Sequence, residues 1–530
     1  MTATAVVLVL LLLAITPPLM NVSRLQRRIV TSMSQSLGRP VHLDNVTLHL
    51  LPMPGFTLQN LVVSEDPAFG NEPTIRANEV VATLRVSSLW QRRVEFSTVK
   101  FEDPSVNLVR NKDGRWNLEG VLLHASHVNT APTAQQRAGE APRFPYIEAT
   151  GGRINLKLGE EKMPFSLTDA DFALWLPSPQ VWRVRLEGKP TRTDSNIGQP
   201  GTVRVEGSLQ RAALMQDVPV DLHASWYDAP LGEASKLLSG NDRGWRGTLH
   251  ADVSLQGPLA SAALKTKTTF VDLRRTDFVP AHSLDESISC ESNADLPAAR
   301  LTNVACTIPV DNAEPLQIAA PELDLTAPQA AQATAQAQKL PLDWVFGWMR
   351  LFSARIPPEP RVQGTVDADL AHLAQTAMSD WNGTVGLTMP VPARHANGEL
   401  VAVKGAAGAP AQQFEATLNS TADGWTATLK PTPVRLGPGA EIMLSGQAST
   451  AGYSFTLTGQ TSAAQLASVT RALPQLADDT GLTLPNGTTA ADAIHPIALS
   501  CTRALSGGQM CSAPAPVPRH PVRRSVRMRK

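Results

Sequence analysis

The sequence predicts a mainly β protein with a few short capping helices and one N-terminal transmembrane helix. Apolar and polar residues alternate over many short segments, which is typical of strands that bury one face. The 530 residues include 42 prolines and 35 glycines, a composition that suits many turns and strands better than long packed helices. A single long apolar segment stands at the N-terminus.

Residues 1–20 are the predicted membrane anchor. They contain no charged side chain and are continuously apolar from Ala5 to Ile15, which is just long enough to cross a bilayer. The alternative is a cleaved signal peptide, which needs a basic start and a small-residue cleavage site, and neither is evident. Three arginines that follow would, taken alone, place the downstream chain in the cytoplasm: Arg24, Arg27 and Arg28.

The rest of the chain divides into regions by pattern. Residues 21–123 are predicted as a β region that opens with a short helix, because helical apolar spacing ends at Gly38 and alternation follows. Alternation continues in two further β regions, the second of which also contains helices. These are residues 144–326 and 341–512. A segment without periodicity predicts a linker at residues 124–143. A tract rich in alanine and glutamine predicts a second linker at residues 327–340, with a poorly packed helix as the alternative. The basic segment 513–530 is predicted to be a disordered tail.

Composition and motifs argue against most catalytic classes. With 47 basic and 47 acidic residues, the chain has no charge excess that would attract nucleic acid. The sequence "LSGGQ" at Leu505 matches an ATPase signature, but no phosphate-binding loop accompanies it, so we interpret it as a turn. Asp367 and Asp369 share the polar face of a strand, where a solvated surface explains them better than a metal does. We therefore predict no catalytic residue, no cofactor and no metal site.

Four cysteines occur in two pairs, each of which brackets a turn. Cys290 and Cys306 flank one predicted hairpin, and Cys501 and Cys511 flank another. If the body is exported, each pair can form a disulfide across its hairpin. Four unconnected thiols are the alternative.

A combination of motifs in the first 125 residues resembles the N-terminal region of the AsmA family of bacterial envelope proteins. These motifs are Gly38-Arg39, Pro52-Met-Pro54-Gly55, Asp66-Pro67-x-Phe69-Gly70 and Asp113-Gly114-x-Trp116-Asn117, all behind an apolar anchor. On this resemblance the stretch "DPSVNLVRNKDGRWNLEG" is a structural hairpin. Gly114 would permit its turn, and Trp116 would bury its ring to fix the returning strand.

The resemblance also implies a location and a role. Such proteins are held in the inner membrane by one N-terminal helix, with the body in the periplasm. Their relatives form elongated, curled antiparallel sheets with a hydrophobic groove. The implied role is to handle or transfer phospholipid between the inner and outer membranes, with effects on outer-membrane assembly and with other envelope proteins as candidate partners. The family offers no catalytic residues to carry over.

The residues predicted to line a lipid groove are apolar and share one face of their strands. They are Leu249, Val253, Leu255, Val366, Leu370, Phe414, Leu418, Phe455 and Leu457. Burial of acyl chains against such a face is favourable without any specific motif, although these residues could equally form a sealed core. A non-catalytic periplasmic scaffold tethered to the inner membrane is the second hypothesis. An exported glycan-acting enzyme, which would need convergent carboxylates, is the third.

Overall fold

The structure is a computed structural model. It describes residues 22–51, 53–87, 96–118, 145–158, 161–178, 180–212, 214–276, 284–352, 364–372, 381–390, 393–394, 400–401, 411–421, 424–434, 441–462, 494–504 and 509–512. The predicted anchor, the tail at 513–530 and the whole of the linker at 124–143 lie outside these residues. Within them, no helix is both long and apolar enough to cross a membrane.

The chain folds into two compact units, and the prediction of a mainly β protein is confirmed. The first unit comprises residues 1–308 and 321–326, and the second comprises 309–320 and 327–530. In the first unit the strands are β1 (Val41–His42), β2 (Asn45–His49), β3 (Gly55–Val63), β4 (Ile75–Leu84), β5 (Phe96–Glu102), β6 (Ser105–Arg110), β7 (Tyr146–Leu158), β8 (Glu161–Ser178), β9 (Val181–Arg192), β10 (Thr202–Gln210), β11 (Pro219–Pro230), β12 (Trp245–Pro258), β13 (Ala262–Arg275), β14 (Leu284–Asp295) and β15 (Arg300–Ile308).

Strand β16 (Leu316–Asp324) contributes residues to both units. The second unit continues with β17 (Ala333–Pro341), β18 (Thr365–His372), β19 (Trp381–Pro390), β20 (Ala393–Arg394), β21 (Leu400–Val401), β22 (Ala411–Thr421), β23 (Gly424–Val434), β24 (Glu441–Ser449), β25 (Gly452–Ser462), β26 (Ile494–Ala504) and β27 (Gln509–Ser512). Segment 327–340, predicted as a linker, instead contains a 3-10 turn and most of β17. Its alanines alternate with glutamine and threonine, so the segment has the period of a strand.

Most pairs of described strands are antiparallel, as predicted, but two pairs in the first unit are parallel. Strand β7 runs parallel to both β5 and β6. A tight hairpin cannot join parallel neighbours, so a long connection must precede β7. Residues 111–145 supply this connection, and the sequence pattern of β7 gave no sign of its direction.

In the part of the chain that the structure describes, three helices pack on the strands: α1 (Val22–Leu37), α2 (Leu231–Ser239) and α3 (Leu342–Phe352). Helix α1 places Ile29, Met33 and Leu37 on one side, at the spacing that brings helical residues onto a common face. These side chains cover a buried cluster in β1–β4 whose centre includes Leu61 and Val80, both fully buried. Helix α1 ends where Gly38 adopts a left-handed conformation at φ 64°.

Candidate lipid-binding face

One row of side chains crosses thirteen strands of the first unit at the same level. Directly opposite residues of paired strands project from the same face. The residues, in order, are Val46, Leu58, Val80, Phe101, Ala149, Phe172, Leu186, Val205, Ala224, Val253, Thr266, Cys290 and Cys306. We call this set the first apolar row. At about 4.8 Å between strands it extends over about 58 Å along the sheet.

The burial of the first apolar row changes along its length. Val46, Leu58 and Val80 are 1%, 3% and 0% exposed, because α1 packs over β2–β4. From Phe101 onward the side chains are half-buried, apart from the small Ala149. The row is therefore sealed beneath a helix at its start and remains partly accessible beyond β5.

The three predicted groove residues of β12 lie on this face but differ in environment. Leu249 is 7% exposed and lies between Ala229 and Phe270 in the register, at the margin where α2 packs. Leu255 is 8% exposed in a closed cluster at the opposite margin. Val253, between them, is half-buried. The face thus has two closed margins and a half-buried centre, and only Val253 of the three lies in that centre.

Polar contacts fix α2 at its margin. Arg192, at the end of β9, donates a hydrogen bond from Nη1 to the carbonyl oxygen of Leu237 at 2.9 Å. The same guanidinium donates to both carboxylate oxygens of Asp194 at 2.7 and 2.8 Å, which holds the pKa of that carboxyl below its ordinary value. A similar hydrogen bond from Arg246 lowers the pKa of Asp242 just beyond the helix. These charged contacts lie at the margin of the face, beside α2.

The second unit contains an equivalent row, which we call the second apolar row. It consists of Ala337, Ala368, Val385, Ala416, Leu429, Gly446, Phe455, Cys501 and Cys511 in register order. Five predicted groove residues lie on the same face beside this row, and Phe455 lies in it. These neighbours are Val366, Leu370, Phe414, Leu418 and Leu457, all half-buried. Trp344 and Val345 of helix α3 pack against the buried cluster that contains Ala337 and Leu340, and Val366 and Ala368 pack against the same cluster, so this row also begins under a helix.

Each apolar row ends at a pair of cysteines. Cys290 and Cys306 lie directly opposite each other and form a disulfide between β14 and β15. Cys501 is also disulfide-bonded, and Cys511 is its register partner across β26 and β27. The register places the first bridge on the same face as Val253.

A cluster of buried polar side chains lies between the first strands, and sequence reasoning missed it. Arg39 and Glu65 form an ion pair whose side chains are 7% and 1% exposed. The second carboxylate oxygen of Glu65 accepts hydrogen bonds from Thr74 Oγ1 at 2.9 Å and from Asn117 Nδ2 at 2.5 Å. Arg39 Nη2 donates to the carbonyl oxygen of Asn117 at 2.9 Å. We call these four residues the polar cluster.

The polar cluster adds a second residue, Asn117, to the hairpin expected to depend on Trp116. Among the described residues, the returning strand of the predicted hairpin forms one bridge, between Arg110 and Trp116, and Trp116 is half-buried. Asn117 is 0% exposed instead, and its side chain bonds Val109 N at 3.1 Å and the Asn107 carbonyl oxygen at 2.8 Å. The side-chain amide of Asn117 therefore also holds the hairpin, because it satisfies buried backbone groups of β6. Gly114 does take the left-handed conformation that the turn requires, at φ 82°.

The polar cluster joins three of the motifs that suggested a family. It contains the arginine of Gly38-Arg39, the residue that precedes the Asp66 turn, and the final asparagine of the Asp113 motif. Residues 1–156 match the AsmA family model. The predicted resemblance of this region to the AsmA family is confirmed. The matched AsmA region extends past the predicted linker into β7, which is consistent with the pairing of β7 to β5 and β6.

Proteins of the AsmA family are associated with the bacterial envelope and are generally non-enzymatic. Neither the curated proteins nor the solved structures include a match to this chain. Among the described residues, no group of His, Cys, Asp or Glu side chains could hold a metal ion. Asp367 and Asp369 lie on the polar face of β18, where Asp367 accepts a hydrogen bond from the backbone of Lys339.

Proposed function

We propose that the chain is a non-catalytic envelope protein that carries phospholipid acyl chains along the apolar faces of its two units. The observation that carries this proposal is the first apolar row, which crosses thirteen strands and, apart from Ala149, is half-buried from β5 onward. Exposure of such a face to water costs about 25 cal/mol of free energy for each Å² of apolar surface. An acyl chain can lie along the row and remove that surface from water, with each buried CH₂ contributing about 0.8 kcal/mol.

The reverse face supports the same proposal. On strands β9 and β10, the residues that alternate with Leu186 and Val205 project from the reverse face. They are charged and exposed: Arg183, Arg185 and Glu187 on β9, and Arg204 and Glu206 on β10. This part of the sheet therefore has one charged, solvent-exposed face and one apolar face. A phospholipid headgroup would stay in water at the margin while its acyl chains contact the row. With the AsmA anchor in the inner membrane and the body in the periplasm, such a face would serve transfer between the inner and outer membranes.

Two positions on the same strand and face provide the test. Val253→Asp puts a carboxylate in the half-buried centre, where solvent can still reach it, so we expect the protein to fold and to lose lipid transfer. Leu255→Asp puts the same carboxylate in a closed cluster, where burial of an unpaired charge is far more costly, so we expect it to unfold the unit. The measurement combines folding by circular dichroism with transfer of fluorescent phospholipid between vesicles.

A photo-crosslinking amino acid at position 253 tests contact with phospholipid independently. We expect phospholipid adducts at 253 and none at 252, since Asp252 projects from the opposite, exposed face. A crosslinker at 253 that reacts only with the protein's own chain would refute lipid carriage. That result, together with unfolding of Val253→Asp, would support the sealed core of a tethered scaffold.

A further inference from the structure

The exposed apolar side chains of the AsmA region are concentrated at one end of its strands, and we call this end of the sheet its edge. Among the described residues between 22 and 118, the exposed large hydrophobic residues are Leu51, Met53 and Val86, which are 62%, 60% and 48% exposed. Leu51 and Met53 lie in the turn between β2 and β3, where the sequence alternates them with Pro52 and Pro54. Val86 follows the end of β4, and the two segments meet where Leu84 N donates to the Pro54 carbonyl oxygen at 2.8 Å.

The direction of α1 relates this edge to the predicted anchor. Near its C-terminal end, Ser34 Oγ accepts a hydrogen bond from Val41 N at 3.0 Å. Toward its N-terminal end, Gln26 Nε2 donates to the Asp44 carbonyl oxygen at 3.3 Å. The helix therefore runs antiparallel to the chain from β1 to β2. Its first residue, Val22, is at the same end as the turn that carries Leu51 and Met53.

Simple lengths show that the turn extends beyond the start of α1. Val22 lies about 6 Å before Gln26 along a helix that rises 1.5 Å per residue. His49 lies about 17 Å beyond Asp44 along an extended strand. The turn between β2 and β3 follows His49, so it projects past the point where the chain leaves the predicted anchor and enters α1.

We propose that Leu51, Met53 and Val86 insert into the interface of the bilayer that holds residues 1–20, and that this edge of the sheet rests on the membrane. Single exposed hydrophobic residues are common on soluble proteins, but three on adjoining segments beside a membrane entry point mark a contact surface. The two prolines limit the conformations of the turn, so little entropy is lost when its side chains enter the lipid. The inference rests on the proposed function only in taking residues 1–20 as the anchor.

This contact would place β5 beside the lipid. Phe96 begins β5 at the same edge, where it contacts Phe56 edge-to-face, and Phe101 on the same strand is the first half-buried member of the first apolar row. Acyl chains that leave the bilayer at this edge would meet the accessible part of the row directly. The covered part, under α1, lies on the other side of β5.

Site-directed spin labelling tests the contact in the full chain reconstituted into vesicles of phosphatidylethanolamine and phosphatidylglycerol. Met53→Cys and Leu51→Cys carry the label, and the four native cysteines are left unreduced. Leu158→Cys is the matched control, because Leu158 is also an exposed apolar residue, at 46%, but lies at the opposite edge, about 30 Å along β7 from Ala149.

We expect labels at 51 and 53 to lose most of their collisions with a water-soluble relaxation agent and to gain collisions with oxygen, while the label at 158 keeps its aqueous signature. Aqueous signatures at both 51 and 53 would overturn the inference, as would equal protection of all three labels. Label depth is independent of lipid transfer. A chain that transfers lipid with aqueous labels would refute the contact alone, and one with buried labels but no transfer would refute the proposed function alone.

Discussion

Replacement of Arg39 by methionine should destabilise the AsmA region more than any change on its surface. Arg39 and Glu65 are both buried, so Arg39→Met leaves the Glu65 carboxylate in the protein interior without its cation. Removal of one partner of a buried ion pair typically costs about 3–5 kcal/mol. Glu65 keeps its hydrogen bonds from Thr74 and Asn117, which do not neutralise its charge. We therefore expect the variant to approach the limit of folding for this unit.

Native-state hydrogen exchange of the full chain in detergent measures this loss locally, which suits a protein of two units. Peptides from β3 and β6 should exchange about 10²–10⁴-fold faster in Arg39→Met, at about 1.4 kcal/mol for each factor of ten. Peptides from β23 and β24 in the second unit are the internal control and should not change. Addition of Glu65→Gln should restore part of the protection, because a neutral amide needs no cation. A single variant within about 1 kcal/mol of the parent, or a double variant with purely additive losses, would refute the argument.

Two further predictions concern the compartment of the body. Peptide mapping without reduction should find both bridges, Cys290 to Cys306 and Cys501 to Cys511, and Cys290→Ser should destabilise the first unit by about 2–4 kcal/mol; four alkylatable thiols in envelope preparations would contradict export as well as the bridges. Reporter fusions after Gly120 should be active only as exported reporters, and a mature N-terminus near Asn21 would show that the apolar segment is a cleaved signal and not an anchor.

Strands were predictable from the sequence because alternation with period two is a local property. The pattern around Leu249 and Val253 identified β12, and the pattern around Phe414 identified β22. Their register could not be predicted, since it depends on which residues of distant strands lie opposite each other. The alternation therefore predicted which residues share the apolar face, but not which of them are buried at its margins. For this reason Leu249, Val253 and Leu255 could not be distinguished from the sequence.

The polar cluster was harder to predict for a different reason. Arg39, Glu65 and Asn117 are far apart in the chain, and each lies in a segment whose polarity suggests a solvated turn. Only the fold shows that the three turns meet and exclude water. A weak signal was present in the unusual combination of motifs, which pointed to a family before the structure showed that arginine, glutamate and asparagine satisfy one another.

The two units share a plan that bears on how their function can be tested. Each apolar row begins under a helix, continues half-buried across several strands, and ends at a pair of cysteines that lie opposite each other. In such a row each side chain supplies only a small share of the apolar contact. Shortening of Val253 to alanine removes two methyl groups from a thirteen-residue row, a change of about 1–2 kcal/mol that neighbouring contacts dilute. A charge acts differently, because a single carboxylate keeps water over the adjacent positions and interrupts the continuity on which movement of an acyl chain depends. Function distributed along a row is therefore resistant to truncation and sensitive to charge, which is why the tests of this face use aspartate and crosslinkers instead of alanine.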